Sequence, residues 1–192
     1  MVIQKQQDIK ETFDYFISLI KNKQLLKTCQ ELYNYPDFWT HAASLEHHHN
    51  FKGGLIIHTL EVTDNANYLS QRFQNCNKDI LISAALWHDL AKIWEYEWKE
   101  NKGLSSYYMP KFHKTDYVKK IHHISGSNAE FTAMAIKNEV DRKYVTMVQH
   151  CIISHHGIKD WGSPVLPESL EAIILHQSDM LSAMYPKYNQ QL

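Results

Sequence analysis

The chain has 192 residues and a mass of 22.6 kDa, and its hydrophobic content of 44% is sufficient for one sizeable core. We therefore expect a single domain over residues 1–192, in which residues 1–36 form a helical extension packed on a core of residues 37–186. The net charge of −1 excludes a whole-molecule attraction to nucleic acid or to anionic membranes. Arginine occurs at just two positions, which argues against a groove that follows an extended duplex.

No targeting or membrane-spanning segment is visible in the sequence. The first residues contain no apolar signal core, and the longest apolar runs are far too short to span a bilayer. The cysteines Cys29, Cys76 and Cys151 are odd in number, widely spaced and outside any CxxC pair, so neither a disulfide framework nor a thiolate zinc site is indicated. We expect a cytoplasmic protein with reduced cysteines and no membrane partner.

The first predicted elements are one or two amphipathic helices, since apolar residues recur at helical spacing over residues 13–26. A break at Tyr35-Pro36-Asp37, where the aspartate is a suitable N-cap, precedes a short predicted helix over residues 38–46. The paired glycines at 53–54 then permit a tight turn before a helix that carries His58 on a semi-buried face.

A central apolar helix is predicted to begin at residues 77–79 and to end on His88 and Asp89. Burying these polar groups without partners would cost several kcal/mol, so the pattern implies partners elsewhere in the chain, and a metal ion is the simplest one. Period-two patterning on both sides of a turn signal then predicts a small β-hairpin near residues 94–108.

The rest of the chain predicts three further helices. Asp116 is the start signal of a helix over 117–137. Asp141 is the start signal of a second helix, which ends at His155-His156 with Gly157 as its C-cap. Pro167 occupies the first position of a third helix, which runs through Ala183.

Histidines and aspartates recur at the apolar boundaries of these predicted helices. Taken singly, each histidine fits a satisfied core residue, but several separate helices are not expected to bury a potential ligand by chance. Nitrogen and carboxylate oxygen without thiolate suit Mn²⁺, Fe, Co²⁺, Ni²⁺, Zn²⁺ or Mg²⁺, and the number of candidates exceeds the need of one tetrahedral ion. The economical prediction is two divalent metal ions, with candidates His58, His88, Asp89, His123, His155, His156 and Asp179.

The order of these residues resembles the HD-domain superfamily of metal-dependent phosphohydrolases, with His88-Asp89 at the position of the doublet that names it. More specifically, the sequence resembles the catalytic domain of YhaM-type 3′-5′ exoribonucleases. The stretches that carry this resemblance are 48–60, 88–92, 153–157 and 162–164, and it extends from about Phe38 to Met184. It implies an all-α helical bundle, to which the possible hairpin near 94–108 would be added.

The resemblance also implies roles for individual residues. The first metal site corresponds to His58, His88, Asp89 and Asp179, with Asp89 as a bridging and catalytic carboxylate, and the second site corresponds to His123 and His155. His122 stays open as an alternative to His123, because adjacent helix residues point about 100° apart and one of them should face the site.

Two more residues match positions near the reacting phosphate. His156 is either a further ligand or a phosphate contact, and Lys92 is a phosphate contact or a residue that orients a ligand, although a surface lysine is an alternative. The sequence departs from the family pattern at Ala91, which replaces a glycine, and at Met180 and Ser182, which follow Asp179 where acidic residues are frequent. The residues before Phe38 are too few for the OB-type domain of the exoribonucleases, so the resemblance does not fix RNA as the substrate.

The resemblance leads us to expect hydrolysis of a phosphomonoester or phosphodiester by a metal-activated water. The expected substrate is a nucleotide or a short nucleic-acid end. One alternative is a catalytically silent metal- or nucleotide-binding module that acts as a sensor or interaction partner. Another is a one-metal nucleotidase that uses His58, His88, Asp89 and Asp179 alone.

Overall fold

The computed structural model describes residues 6–45, 49–99 and 111–189, and these form a helical bundle with one small sheet. The α-helices are α1 Gln6–Ser18, α2 Lys23–Gln30, α3 Gly54–Ser70, α4 Lys78–Trp87, α5 Lys92–Glu95, α6 Tyr117–Lys120, α7 His123–Lys137, α8 Arg142–Ser154 and α9 Leu170–Asn189. The strands are β1 Tyr96–Lys99 and β2 Lys111–Lys114, and short 3₁₀ helices cover Glu31–Asn34, Pro36–Trp39 and Lys159–Trp161. The predicted all-α class is therefore confirmed.

Helix α4 lies at the centre of the bundle, in contact with α3, α8 and α9. Its start is fixed by Asn77, whose side-chain oxygen accepts a hydrogen bond from the Ile80 amide. Every residue from Ile80 to Trp87 is buried, as expected for a helix that is apolar around its whole circumference. The last turn of α4 therefore delivers His88 and Asp89 to the interior of the bundle.

The N-terminal helices are tied to this central helix by hydrogen bonds as well as by packing. Asp79 in the first turn of α4 accepts hydrogen bonds from the amides of Lys21 and Asn22, between α1 and α2. Phe13 of α1 is fully buried, and its ring makes edge contacts with Tyr33 and other aromatic rings of the same cluster. The extension thus packs on the bundle, while the predicted boundary at residue 36 stays a prediction.

The predicted helix over 38–46 is wrong for the described residues 40–45, which follow the 3₁₀ turn Pro36–Trp39 and are not helical. Two carbonyls of this segment accept hydrogen bonds from residues further along the chain. The Thr40 carbonyl accepts from the Gly53 amide at 2.9 Å, and the His41 carbonyl accepts from the Leu55 amide at 2.9 Å. This pairing joins the segment to the start of α3.

The predicted helix over 117–137 is broken in two at Ile121 and His122. His122 has φ +67° and ψ 145°, a backbone conformation that ends α6 and lets α7 start in a new direction at His123. The last helix also differs, since α9 starts at Leu170 rather than at Pro167.

The small sheet confirms the first strand of the predicted hairpin, but this strand pairs with a segment that comes later in the chain than the predicted second strand. Strand β1 pairs antiparallel with β2, with Trp98 opposite Phe112, so the second strand comes later than the turn signal indicated. The predicted second strand at 104–108 lies outside the described residues. Cys29 and Cys151 are buried free thiols, and no described helix combines the length and apolarity needed to cross a lipid bilayer.

We predict that Gly54→Ala destabilises the fold, although alanine is the better helix former. A Cβ atom at Gly54 would lie 2.0 Å from the main-chain oxygen of His49, and the backbone there cannot move without displacing the start of α3. The expected loss is about 1–3 kcal/mol of unfolding free energy, measured by chemical denaturation in chelator. Asp64→Ala, at an exposed position of the same helix, is the control. Equal stability of Gly54→Ala and wild type would contradict the packing described here.

Candidate metal centre

The carboxylate of Asp89 lies between two groups of imidazole rings. Its Oδ2 atom is 3.3 Å from His58 Nε2 and 3.4 Å from His88 Nε2. Its Oδ1 atom is 3.4 Å from His123 Nε2 and 3.6 Å from His155 Nε2. One carboxylate therefore has a separate pair of histidines on each oxygen, and Asp89 itself is 1% exposed.

Two more of the predicted residues lie close to these histidines, one on each side of the Asp89 carboxylate. Asp179 of α9 belongs to the Oδ2 side, where its Oδ1 atom is 3.0 Å from His58 Nε2 and 3.9 Å from His88 Nε2. His156 belongs to the Oδ1 side, where its Nε2 atom is 3.3 Å from His123 Nε2. We call the first group the Oδ2 half of the centre and the second group the Oδ1 half.

Three of these rings are oriented by main-chain carbonyls. The Nδ1–H of His88 donates to the Ala85 carbonyl at 2.7 Å, and that of His155 donates to the Ile152 carbonyl at 2.7 Å. The Nδ1–H of His156 donates to the carbonyl of Trp161. Because a carbonyl only accepts, the proton of each neutral ring is on Nδ1 and the lone pair is on Nε2.

The other two rings are oriented by side chains. His123 Nδ1 donates to Glu95 Oε2 at 3.1 Å, and the other oxygen of Glu95 accepts a hydrogen bond from the His123 amide at 2.6 Å. His58 Nδ1 is 3.0 Å from the hydroxyl of Ser182. The Nε2 atoms of these rings therefore also face Asp89.

This arrangement leaves acceptor atoms facing one another. The His123 and His156 rings both donate from Nδ1, so their Nε2 atoms, which are 3.3 Å apart, are two unprotonated nitrogens that cannot form a hydrogen bond with each other. Asp89 Oδ1 and the Nε2 atom of His155 are buried without a hydrogen-bond partner among the described residues. Lone pairs that converge in the interior need a cation, and a set of imidazole and carboxylate donors fits a divalent metal ion.

The electrostatics of the centre favour an ionised Asp89. Burial alone would raise the pKa of Asp89, but the charge of Lys92 outweighs it and holds this pKa well below its usual range. The Lys92 ammonium is 2.6 Å from Asp89 Oδ2 and is buried. Burial would lower the pKa of Lys92, and the charge of Asp89 raises it instead, so both groups of this pair stay charged.

Two histidines of the Oδ1 half, His123 and His156, are held neutral, which is the form that binds metal. Burial lowers the pKa of His123 well below its usual value and, with the neighbouring His155, lowers the pKa of His156 to about 3. His58 in the Oδ2 half behaves differently. Burial lowers its pKa, but hydrogen bonds to Asp179 and Asp89 outweigh burial and raise it. A proton between His58 and Asp179 therefore competes with a cation for the same position.

The structure brings the predicted ligands together and separates the two adjacent candidates on α7. His123 faces Asp89, whereas His122 is half-buried, with its ring 4.3 Å from that of His123 and its edge against Gly162. Ligand roles for these residues remain predictions. His123 is the one that faces Asp89, and His122 has a donor atom close to His123 and Glu95.

Three residues that contact the centre were missed in the sequence. Glu95 stands in an alternating aromatic and acidic stretch that predicts a strand. If the segment is instead taken as a helix, Glu95 lies one turn after Lys92, and this spacing is a signal that it is close to the same site. Ser182 stands where acidic residues are frequent, so its sequence position indicates only a departure from the family pattern. Glu61, whose Oε2 accepts a hydrogen bond from Ser182, lies one turn after His58 on α3 and gave no signal of its own.

The helical fold and this centre together define a class, the helical proteins that bind metal through histidine and aspartate. The HD domain family model matches residues 55–184 of the chain. The chain is also 31% identical over 180 residues to the 3'-5' exoribonuclease YhaM of Listeria welshimeri and to that of Listeria monocytogenes. The matched residues are 93% of this chain and 54% of each relative, so the chain spans about half the length of the curated relatives it matches.

No solved structure matches the chain. The family match covers more than half of its residues and includes the helices that carry His58, Asp89 and Asp179. The chain therefore belongs to the HD-domain family of metal-dependent phosphohydrolases.

We predict that Asp89→Asn abolishes metal binding, because the carboxylate faces both halves of the centre. The substitution also leaves the buried Lys92 ammonium without its partner, which costs about 3–5 kcal/mol when a buried pair is broken. The double variant Asp89→Asn/Lys92→Met removes the second charge and is expected to recover most of that stability without recovering metal.

The measurements are the metal content per chain after Mn²⁺ loading and gel filtration, and chemical denaturation in chelator. Asp64→Asn, an exposed carboxylate on α3, is the control for metal content. Wild-type metal content in the Asp89→Asn variant would contradict a metal role for this carboxylate.

Proposed function

We propose that the chain hydrolyses a phosphomonoester or phosphodiester of a nucleotide or short oligonucleotide. The observation that carries this proposal is the position of Asp89 between two sets of Nε2 lone pairs, one set on each carboxylate oxygen. Such a carboxylate can bridge two divalent cations, and we propose two ions per chain. His58, His88 and Asp179 would hold one ion, and His123, His155 and His156 would hold the other.

Divalent cations at such a centre supply a nucleophilic water at neutral pH and stabilise negative charge on the phosphoryl oxygens. The residues of the chain supply geometry and charge. Asp89 fixes the distance between the two halves, and the Lys92 ammonium on its Oδ2 atom keeps it ionised. Lys92 thus acts mainly by orienting a ligand, since its amine is already engaged at 2.6 Å.

The substrate phosphate is proposed to approach from the His156 side. His58, His88 and His155 are 0% exposed, whereas His156 and the neighbouring His122 are partly accessible. The carbonyl that orients His156 belongs to Trp161, whose side chain is 51% exposed. Trp161 is thus an exposed aromatic residue whose backbone contacts the accessible end of the centre, and its ring is proposed to stack on a nucleobase, because stacking requires a π-face rather than a specific hydrogen bond.

The relatives favour a nucleic-acid end among the phosphate esters with which this geometry is compatible. Their name assigns 3'-5' exoribonuclease activity to proteins about twice the length of the matched region. We therefore propose the 3′ end of a short oligonucleotide as the first substrate to test, with mononucleotides and cyclic nucleotides next. The cytoplasm is proposed as its compartment on the same basis.

The test is a substrate screen with Mn²⁺, which compares short RNA and DNA, mononucleotides, cyclic nucleotides and a generic bis-phosphodiester. We predict metal-dependent hydrolysis that is lost in chelator. His155→Ala should reduce it at least 100-fold, because the Oδ1 half loses a fully buried ligand. His150→Ala is the matched control, since His150 lies on the same helix, where its ring accepts a hydrogen bond from the Glu168 amide instead.

Two outcomes would overturn the proposal. One is full activity of the His155→Ala variant, which would place the chemistry elsewhere. The other is binding of a nucleotide by the wild-type protein without turnover of any substrate in the panel, which would identify a silent binding module.

A further inference from the structure

Two rings of the centre are oriented by replaceable side chains rather than by the main chain, and there is one in each half. His123 in the Oδ1 half depends on Glu95, and His58 in the Oδ2 half depends on Ser182. The rings of His88, His155 and His156 depend on carbonyl groups that no substitution removes. Substitutions of these two side chains can therefore change the orientation of a ring in one half of the centre without changing the other half.

The hydroxyl of Ser182 has one proton, which can be donated either to His58 or to Glu61, and the charge of Glu61 decides between them. Ser182 Oγ is 2.8 Å from Glu61 Oε2 and 3.0 Å from His58 Nδ1. An ionised carboxylate can only accept, so the serine proton must point to Glu61. Ser182 can then only accept from His58, which requires a proton on Nδ1 and leaves the lone pair of Nε2 for the centre.

Glu61 is itself held in the ionised form. Its Oε2 atom is 3.0 Å from Nε2 of His49, a ring with 5% side-chain exposure in the loop before α3. Burial would raise the pKa of Glu61, but the hydrogen bond from His49 and the contact with Ser182 lower it. His49 reaches this position in a backbone conformation with φ +52°, and its main-chain oxygen occupies the space that a Cβ atom at Gly54 would need.

We propose that Glu61 and Ser182 are positioning residues that fix the tautomer of His58 and thereby set the metal affinity of the Oδ2 half. Glu95 does the same for His123, so the two halves are adjusted independently. The proposal rests on the proposed metal role of the centre and adds that residues beyond the ligands control each ion separately.

The Glu61→Gln substitution tests the direction of the serine proton. A glutamine amide can donate to Ser182 Oγ, which frees the serine proton to point to His58 Nδ1. The His58 proton then moves to Nε2, where it occupies the metal position. We predict that Mn²⁺ binding to one site weakens about 10–100-fold while the other site keeps its affinity. Ser182→Ala should weaken the same site, and Glu95→Gln should weaken the other one.

The measurement is Mn²⁺ affinity by titration calorimetry with chelator competition, together with ¹⁵N NMR of the His58 ring in metal-free protein at alkaline pH. Glu130→Gln is the matched control, because Glu130 is a partly buried carboxylate that accepts a hydrogen bond from the Tyr35 hydroxyl at 2.8 Å. Supporting results are loss of one affinity only and a His58 spectrum that moves from the Nδ1–H to the Nε2–H form in Glu61→Gln.

Unchanged affinities and an unchanged tautomer would overturn the proposal. An equal loss at both sites with lower stability in chelator would also overturn it, because it would show a structural role. These outcomes are separate from those of the proposed function. A wild-type protein that binds Mn²⁺ and hydrolyses nothing would leave the positioning result intact, and the tautomer can be measured without any metal.

Discussion

The structure depends on the burial of one carboxylate. Asp89 follows a helix whose side chains from Ile80 to Trp87 are all buried, so its charge lies where water cannot stabilise it. Lys92 compensates one oxygen at 2.6 Å, and the rest of the surroundings offers lone pairs rather than protons. Such a group is tolerated only with cations close by, and α3 and α9, together with residues at the ends of α4, α7 and α8, place imidazole and carboxylate groups around it.

The same local device orients a histidine at the end of two different helices. His88 follows the last residue of α4 and His155 follows the last residue of α8, and each ring donates to the carbonyl three residues earlier. Carbonyls in the last turn of a helix lack an amide partner, so the ring satisfies an acceptor that would otherwise need water. This contact also directs Nε2 away from the helix and towards Asp89. The hydrogen bond that satisfies the end of the helix is therefore also the one that orients the ring.

Much of this could be predicted from the sequence, because it follows from local signals. Asn77 and Asp141 cap α4 and α8 as expected, and the apolar periodicity of these helices indicated which histidines face inward. The break at His122 could not be predicted, since residues 117–137 favour one continuous helix. The break coincides with a long-range contact, the hydrogen bond from the His123 amide to Glu95.

The proposed roles of Glu61 and Ser182 could not be predicted for a related reason. They depend on the hydrogen bond between these two residues, which are 121 positions apart in the sequence.

A crystal structure of the protein grown with Mn²⁺, with anomalous scattering used to locate the ions, tests the proposed two-metal centre. Two peaks per chain are expected, on opposite sides of the Asp89 carboxylate. One should lie among His58, His88 and Asp179, and the other among His123, His155 and His156. A single peak, or peaks that do not contact Asp89, would contradict it.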